Sequence, residues 1–280
     1  MTSRASLLGP LNIGNVVTTG LSLFKSNFGT YLKLAGLSYL WVLVPVYGWA
    51  KFCMYHGLIG RMAFGQLINR PETASQARAA IQDRLWSFLA ASILVGLVTS
   101  SVYIGFLIVL VIGGVIVGLL VASLGAGGLG TGGAIAAILL GTLALIALVL
   151  SLTWITGRLF VTEMPIAVES HRIEPTVALG NSWKLTQAAA FRVMTIVFIA
   201  ALVTFPLSLL VNLGVQLPAV IFPENPTLAN GIMAGSYVLS IFLGIVTVPF
   251  WQCIKAVTYY DLRSRREGLD IQLRDSSSPG

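Results

Sequence analysis

The stretch GIMAGSYVLSIFLGIVTVPFWQCIKAV, residues 231–257, is followed after one threonine by YYDLRSRREGLD, residues 259–270. The first is almost wholly apolar and longer than the roughly 18 apolar residues that suffice for a membrane span. The second opens with two tyrosines and then turns basic. A helix leaving a bilayer on its cytoplasmic side has this order: apolar body, aromatic residues at headgroup depth, then arginine. Tyr259, Tyr260, Arg263, Arg265 and Arg266 are therefore expected at the membrane interface. Asp261 stands four residues before Arg265, the spacing of a helical ion pair, and Gly268 is placed to close the helix. Basic and acidic residues nearly balance across 255–275. The segment thus reads as a topological anchor rather than a lipid switch, which would hold about 4–8 uncompensated basic residues. The terminal DSSSPG reads as a disordered tail.

The whole chain agrees with that reading. Of its 280 residues 56% are hydrophobic and only 10% charged, against about 25% charged in globular domains. Several other runs are long enough to span, and they do not alternate as the strands of an outer-membrane barrel would. The expected class is all-α: a polytopic membrane bundle of about six transmembrane helices with amphipathic interfacial helices. The opening MTSRASLLGPLNIGNVV shows no cleavable signal peptide, so the first span is expected to direct its own insertion. Cys53 and Cys253 both lie in apolar runs and read as buried thiols. The net charge of +7 is what the positive-inside rule demands, so no nucleic-acid partner is needed to explain it.

The basic residues locate the spans. Sixteen of the seventeen fall in four clusters: Arg4 to Lys33, Arg61 to Arg84, Arg158 to Arg192, and Lys255 to Arg274. If every cluster is cytoplasmic, an even number of spans separates each pair. Spans are expected near 30–45, 47–68, 85–123, 134–157, 193–215 and 232–257, with an amphipathic segment at 1–29, a tail at 258–280 and both termini cytoplasmic. Pro45 and Gly48 suit a hairpin. The 47–68 segment, which carries Lys51, His56 and Arg61, is read as a bundle-facing span, with an interfacial helix as the alternative. The 85–123 segment is too long for one simple crossing. It is read as a single kinked or partly re-entrant segment, although Thr99, Ser100 and Ser101 leave a break open. GAGGLGTGG, residues 125–133, and the proline-rich 217–230 are expected on the outer side.

A faint repeat relates VVTTGLSLFKSNFGTYLKL, residues 16–34, to TVALGNSWKLTQAAAFRVM, residues 176–194, with Gly20 matching Gly180 and Ser22 matching Ser182. It predicts two amphipathic helices, each lying on the membrane ahead of a hairpin of spans. In the second, Trp183, Lys184 and Arg192 are expected to meet the membrane surface.

Chemistry is thinly signalled. An ionisable residue within a span is a functional candidate by default, and Lys51, His56 and Arg61 are the one such group. Glu163 and Glu169 flank the apolar turn MPIAV and read as solvated loop residues. GAGGLGTGG lacks the GK[ST] ending of a phosphate loop, and neither GxSxG nor HExxH occurs. No catalytic residue, metal site or cofactor is expected.

Two stretches carry a family resemblance. RLFVTEMPIAVESHRIEPTVALGNSWKLTQAAAFRV, from Arg158 to Val193, sets an arginine, a proline and a glutamate before Ala-Leu-x-x-Ser-Trp-x-Leu-Thr. With YYDLRSRREGLD it resembles the membrane-domain family named for glycerophosphodiester phosphodiesterases, and related uncharacterised six-helix bacterial membrane proteins. The resemblance implies a helical bundle with amphipathic helices on its cytoplasmic face. In fused members the phosphodiesterase chemistry lies in a separate soluble barrel, whose metal-binding pattern is absent here, so no catalytic residue carries over. The expectation is a non-enzymatic protein of the bacterial inner membrane, or another internal membrane, that organises lipid. A membrane-protein partner or a second copy of the chain is left open, and a transporter for a small or lipidic solute is the alternative.

Overall fold

The computed structural model describes residues 11–123 and 130–268, and the regular elements among them are all helical. Four helices are long and apolar enough to cross a membrane, over Ala74–Ile116, Leu139–Val168, Ala190–Gln216 and Pro226–Glu267. Their apolar bodies belong to α5 (Leu85–Ser123), α6 (Gly130–Leu159), α9 (Ala190–Gln216) and α11 (Pro226–Glu267). The remaining helices are α1 (Ile13–Ser26), α2 (Phe28–Trp41), α3 (Tyr47–Leu67), α4 (Ala74–Ile81), α7 (Glu163–Val168), α8 (Pro175–Thr186) and the short α10 (Pro218–Ile221).

Charge sorts the four long helices end to end. α5 starts directly after Arg84, α6 finishes at Arg158, α9 opens with Arg192, and α11 meets its first charge at Lys255. Between these points and their opposite ends they carry none, and the further charges of α11 all follow Lys255. α5 packs on α6, α6 on α9 and α9 on α11, and the charged ends meet in one buried cluster that holds Leu85, Phe88, Phe160, Val193, Cys253 and Ile254. The opposite ends expose long apolar flanks such as Leu107 to Ile112, Leu139 to Val149, Phe198 to Leu213 and Val238 to Phe242. In water that surface would be prohibitive; in lipid it costs nothing.

α5 is one unbroken helix of 39 residues. The Thr99–Ser101 patch does not interrupt it, because Thr99 donates to the Val95 carbonyl and Ser101 to the Leu97 carbonyl, four residues back. Such back-bonding can strain a helix slightly, but here the backbone stays helical through it. The glycine-rich loop expected at 125–133 falls mostly outside the described residues.

The expected hairpin joins α2 to α3. Tyr47 N–H bonds the Pro45 carbonyl across Val46, whose φ of 59° makes a strained γ-turn. Gly48 follows because a Cβ there would overlap the Trp41 carbonyl. α3 then runs through the centre of the packed end, buried from Met54 to Leu67 on most sides. At Gly57 a Cβ would collide with the Phe88 ring, so this glycine sets the approach of α3 to α5.

Both repeat units contain a short helix followed by another helix, α1 before the equally short α2 and α8 before the 27-residue α9. α8 begins with Pro175 in its first turn. It buries Ala178, Ser182 and Leu185 while Val177, Trp183 and Lys184 face outward. The two units differ in packing: Gly20 lies under Ile254, whereas Gly180 has open space beside it.

The C-terminal segment departs from the expected tail. α11 continues to Glu267, where Gly268 ends it in the left-handed conformation at φ 62°. Tyr259 and Tyr260 are 2% and 0% exposed. They are not surface anchors, because helices packed around α11 enclose them. Tyr259 stacks at an angle on Phe64 of α3.

Candidate functional site

The charged groups of the packed end form ties between helices that lie far apart in sequence. Asp261, fully buried, is the centre of the tightest. It accepts from Arg192 Nε at 2.8 Å, from Arg265 Nε at 3.1 Å and from the Leu11 backbone N–H at 2.8 Å. Both arginines also donate to the Leu11 carbonyl. The start of the described chain, α9 and α11 are thereby fastened at one carboxylate. The Asp261–Arg265 pair anticipated from spacing is present, and Arg192 is its unanticipated second partner.

Glu169 takes the next position. It accepts from the Tyr259 hydroxyl at 3.0 Å and from Arg263 at 2.7 Å, while Arg263 also reaches Glu267 at 2.6 Å. Glu163 accepts from Lys255 Nζ at 2.5 Å. Neither glutamate is the solvated loop residue expected from sequence. α7, the short helix between them, is folded into the core with Pro165, Ile166 and Ala167 buried. Arg84, 6% exposed, closes that helix by donating to the carbonyls of Ile166, Glu169 and Ser170.

Lys51, His56 and Arg61 are not brought together. Arg61 binds both oxygens of Glu72 at 2.7 Å and the Ala167 carbonyl at 2.8 Å. Lys51 lies over the rings of Trp41 and Tyr47. His56 packs against Phe52, and its Nε2 is buried without a hydrogen-bond partner. Ten residues on one helix separate the outer two, so each is served locally. His56 instead feels the Glu163–Lys255 pair. A cavity of about 180 Å3 adjoins that pair, lined also by Ser92, Thr162, Val95 and Phe160.

The residues of the Arg158–Val193 stretch converge on the junction of α6 and α8. Ser182 and Thr186 both donate to the Arg158 carbonyl. The Arg158 guanidinium lies 4.1 Å from the Trp183 ring centre and 5.7 Å from that of Trp154. The two indoles meet edge to face. Arg266 reaches over from α11 to the Lys184 carbonyl. The spacing of serine, tryptophan and threonine thus has a local cause: one turn of α8 holds both the backbone and the side chain of Arg158. Trp154 stands one helical turn before Arg158, so this partner has a local signal in the sequence.

On the far side of the bundle, α2, α3 and α11 frame an apolar groove of about 740 Å3, with Gly36, Leu40, Leu43, Trp49, Phe52 and Ile245 among its walls. Among the described residues no set of three or more His, Cys, Asp or Glu side chains is placed to hold a metal ion. No family model, curated protein or solved structure matches this chain.

Proposed function

We propose that this is a non-enzymatic multi-pass membrane protein that organises lipid, or a partner, around a rigid cytoplasmic end. The observation that carries it is the fate of the carboxylates. Glu72, Glu163, Glu169 and Asp261 are each bound to a cation on another segment. These acids serve as ties between helices rather than as free acids or bases. The apolar groove between α2, α3 and α11 has room and character for acyl chains, which supports the lipid reading.

In this reading the α2–α3 hairpin also crosses, which makes six spans in all. The packed end, where the basic clusters meet, is cytoplasmic by the positive-inside rule, and so are both termini. The membrane is the bacterial inner membrane or another internal one. The meeting of Arg158, Ser182, Trp183 and Thr186 at the junction of α6 and α8 supports membership of the membrane-domain family that the sequence resembles. Cysteine labelling in a background without Cys53 and Cys253 tests the topology, and a cysteine at Ser278 that reacts only from outside overturns it. Purification in mild detergent with mass spectrometry of what co-purifies tests the role. Stoichiometric lipid or one partner protein is expected, and a bare chain overturns it.

One observation favours a transporter: the Glu163–Lys255 pair, unpartnered His56 Nε2 and the adjoining cavity place polar groups near the charge-free zone. Vesicle uptake that is robust in the wild type and lost in His56→Gln, at equal protein level, would establish that reading instead.

A further inference from the structure

Arg158 stands apart from the other deeply buried charges of the packed end. It is 4% exposed, yet among the described residues its guanidinium forms no ion pair and no hydrogen bond, and its Nε is buried without a partner. Among the described residues the other deeply buried charges are answered: Arg84 donates to three carbonyls, although its Nε also lacks a hydrogen bond, and Asp261 accepts from three donors. Its two Nη groups, unlike Nε, keep access to the surface, so an acceptor from outside the chain can reach them and answer the charge.

The geometry says what kind. With Trp183 and Trp154 so close to its guanidinium, Arg158 has aromatic stabilisation of its charge but no acceptor for its N–H groups. The planar fork of such an arginine matches two oxygens of a phosphate. A second cation, Arg266, stands near it, and Lys184 follows Trp183 on α8. Arg266 is near enough to repel Arg158, and neither Arg266 nor Lys184 forms an ion pair among the described residues. The nearby carboxylates Glu169 and Glu267 are both engaged by Arg263. Lys184 and Arg266 share one pocket with those two carboxylates, whereas among the described residues Arg158 has no carboxylate paired with it.

The position selects the source of the phosphate. Trp154 and Trp183 are 42% and 37% exposed, and Arg158 lies where the charge-free body of α6 ends. Indoles at such a boundary sit at headgroup level. A lipid phosphate already lies at this depth, whereas an aqueous anion would have to leave bulk water to reach it.

We propose that Arg158, Trp154, Trp183, Lys184 and Arg266 form a binding site for the phosphate of an anionic glycerophospholipid. The proposal rests on the lipid-organising reading and names the headgroup chemistry it uses.

Delipidated full-length protein titrated with phosphatidylglycerol or phosphatidylcholine, and read by native mass spectrometry, tests it. The wild type should retain phosphatidylglycerol about tenfold better, the equivalent of one good charge-assisted contact. Folded Arg158→Gln should lose that preference, and Arg158→Lys, which keeps the charge without the fork, should keep part of it. If Arg158→Gln does not fold, the double variant Lys184→Gln/Arg266→Gln should reduce the preference at unchanged melting temperature. Inorganic phosphate in millimolar excess should not displace the lipid. Equal retention of the two lipids, or a preference that survives in folded Arg158→Gln, overturns the site while leaving the lipid-organising reading intact. Retention of neither lipid overturns both. Arg158-dependent binding of inorganic phosphate without phosphatidylglycerol retention overturns the lipid source.

Discussion

α3 and α5 invert the rule that governs proteins in water. α3 carries Lys51, His56 and Arg61, yet most of it is enclosed by other helices. α5 carries no charge over 39 residues, yet its flank from Tyr103 to Ile116 is largely exposed. Where the environment is hydrocarbon, an apolar helix gains nothing by hiding, and association rests on packing and polar contacts. A helix with polar groups gains much, because only protein can satisfy them. The polar residues are the ones that hold this molecule together.

The largest expected effect lies on the polar side of that contrast. Asp261→Ala removes the acceptor shared by Arg192, Arg265 and the Leu11 N–H, and breaking a buried pair costs about 3–5 kcal/mol. Reversible unfolding in detergent should show that loss. A change below about 1 kcal/mol, the usual worth of an exposed pair, would mean that the tie is ornamental. Next comes a test of the apolar side. Leu143 on α6 is 62% exposed, so Leu143→Lys should lower membrane insertion by about 2.5–3.5 kcal/mol in a translocon assay. Normal insertion of that variant would show that this flank meets water.

Two glycines sharpen the contrast at smaller magnitude. Gly57→Ala forces a methyl against the enclosed Phe88 ring and should destabilise by about 1–3 kcal/mol. Gly105 on α5 has nothing within 4 Å, so Gly105→Ala should be neutral or stabilise by up to about 1 kcal/mol through helix propensity. Melting temperatures of the two variants should move in opposite directions. Equal losses would erase the distinction between the two ends.

The sequence made some of this readable and hid the rest for definite reasons. Apolar runs and basic clusters marked all four long helices, because hydropathy and charge are local quantities. Local too were the hairpin at Pro45, the start of α8 at Pro175, the Asp261–Arg265 spacing and the stop at Gly268. Each depends on residues within one turn. Hidden were the partners of Glu72, Glu163 and Glu169, since a carboxylate's choice among arginines is settled by which helix lands beside it. Tyr259 and Tyr260 were misplaced because an aromatic pair at the end of an apolar run reads alike whether lipid or another helix surrounds it. Arg158 was visible only as the first residue of a familiar layout. Its lack of a partner is a property of the assembled fold.

The tie at Asp261 also sets a clock on biogenesis. It joins Leu11 to a residue 250 positions later, and Arg192 to one 69 positions later. At roughly 5–20 residues per second of synthesis, Arg192 is made several seconds before the aspartate that neutralises it. Throughout that interval α9 has its basic end without its acid. The closing helix therefore completes the tie last: a chain that lacks α11 keeps Arg192 without its carboxylate.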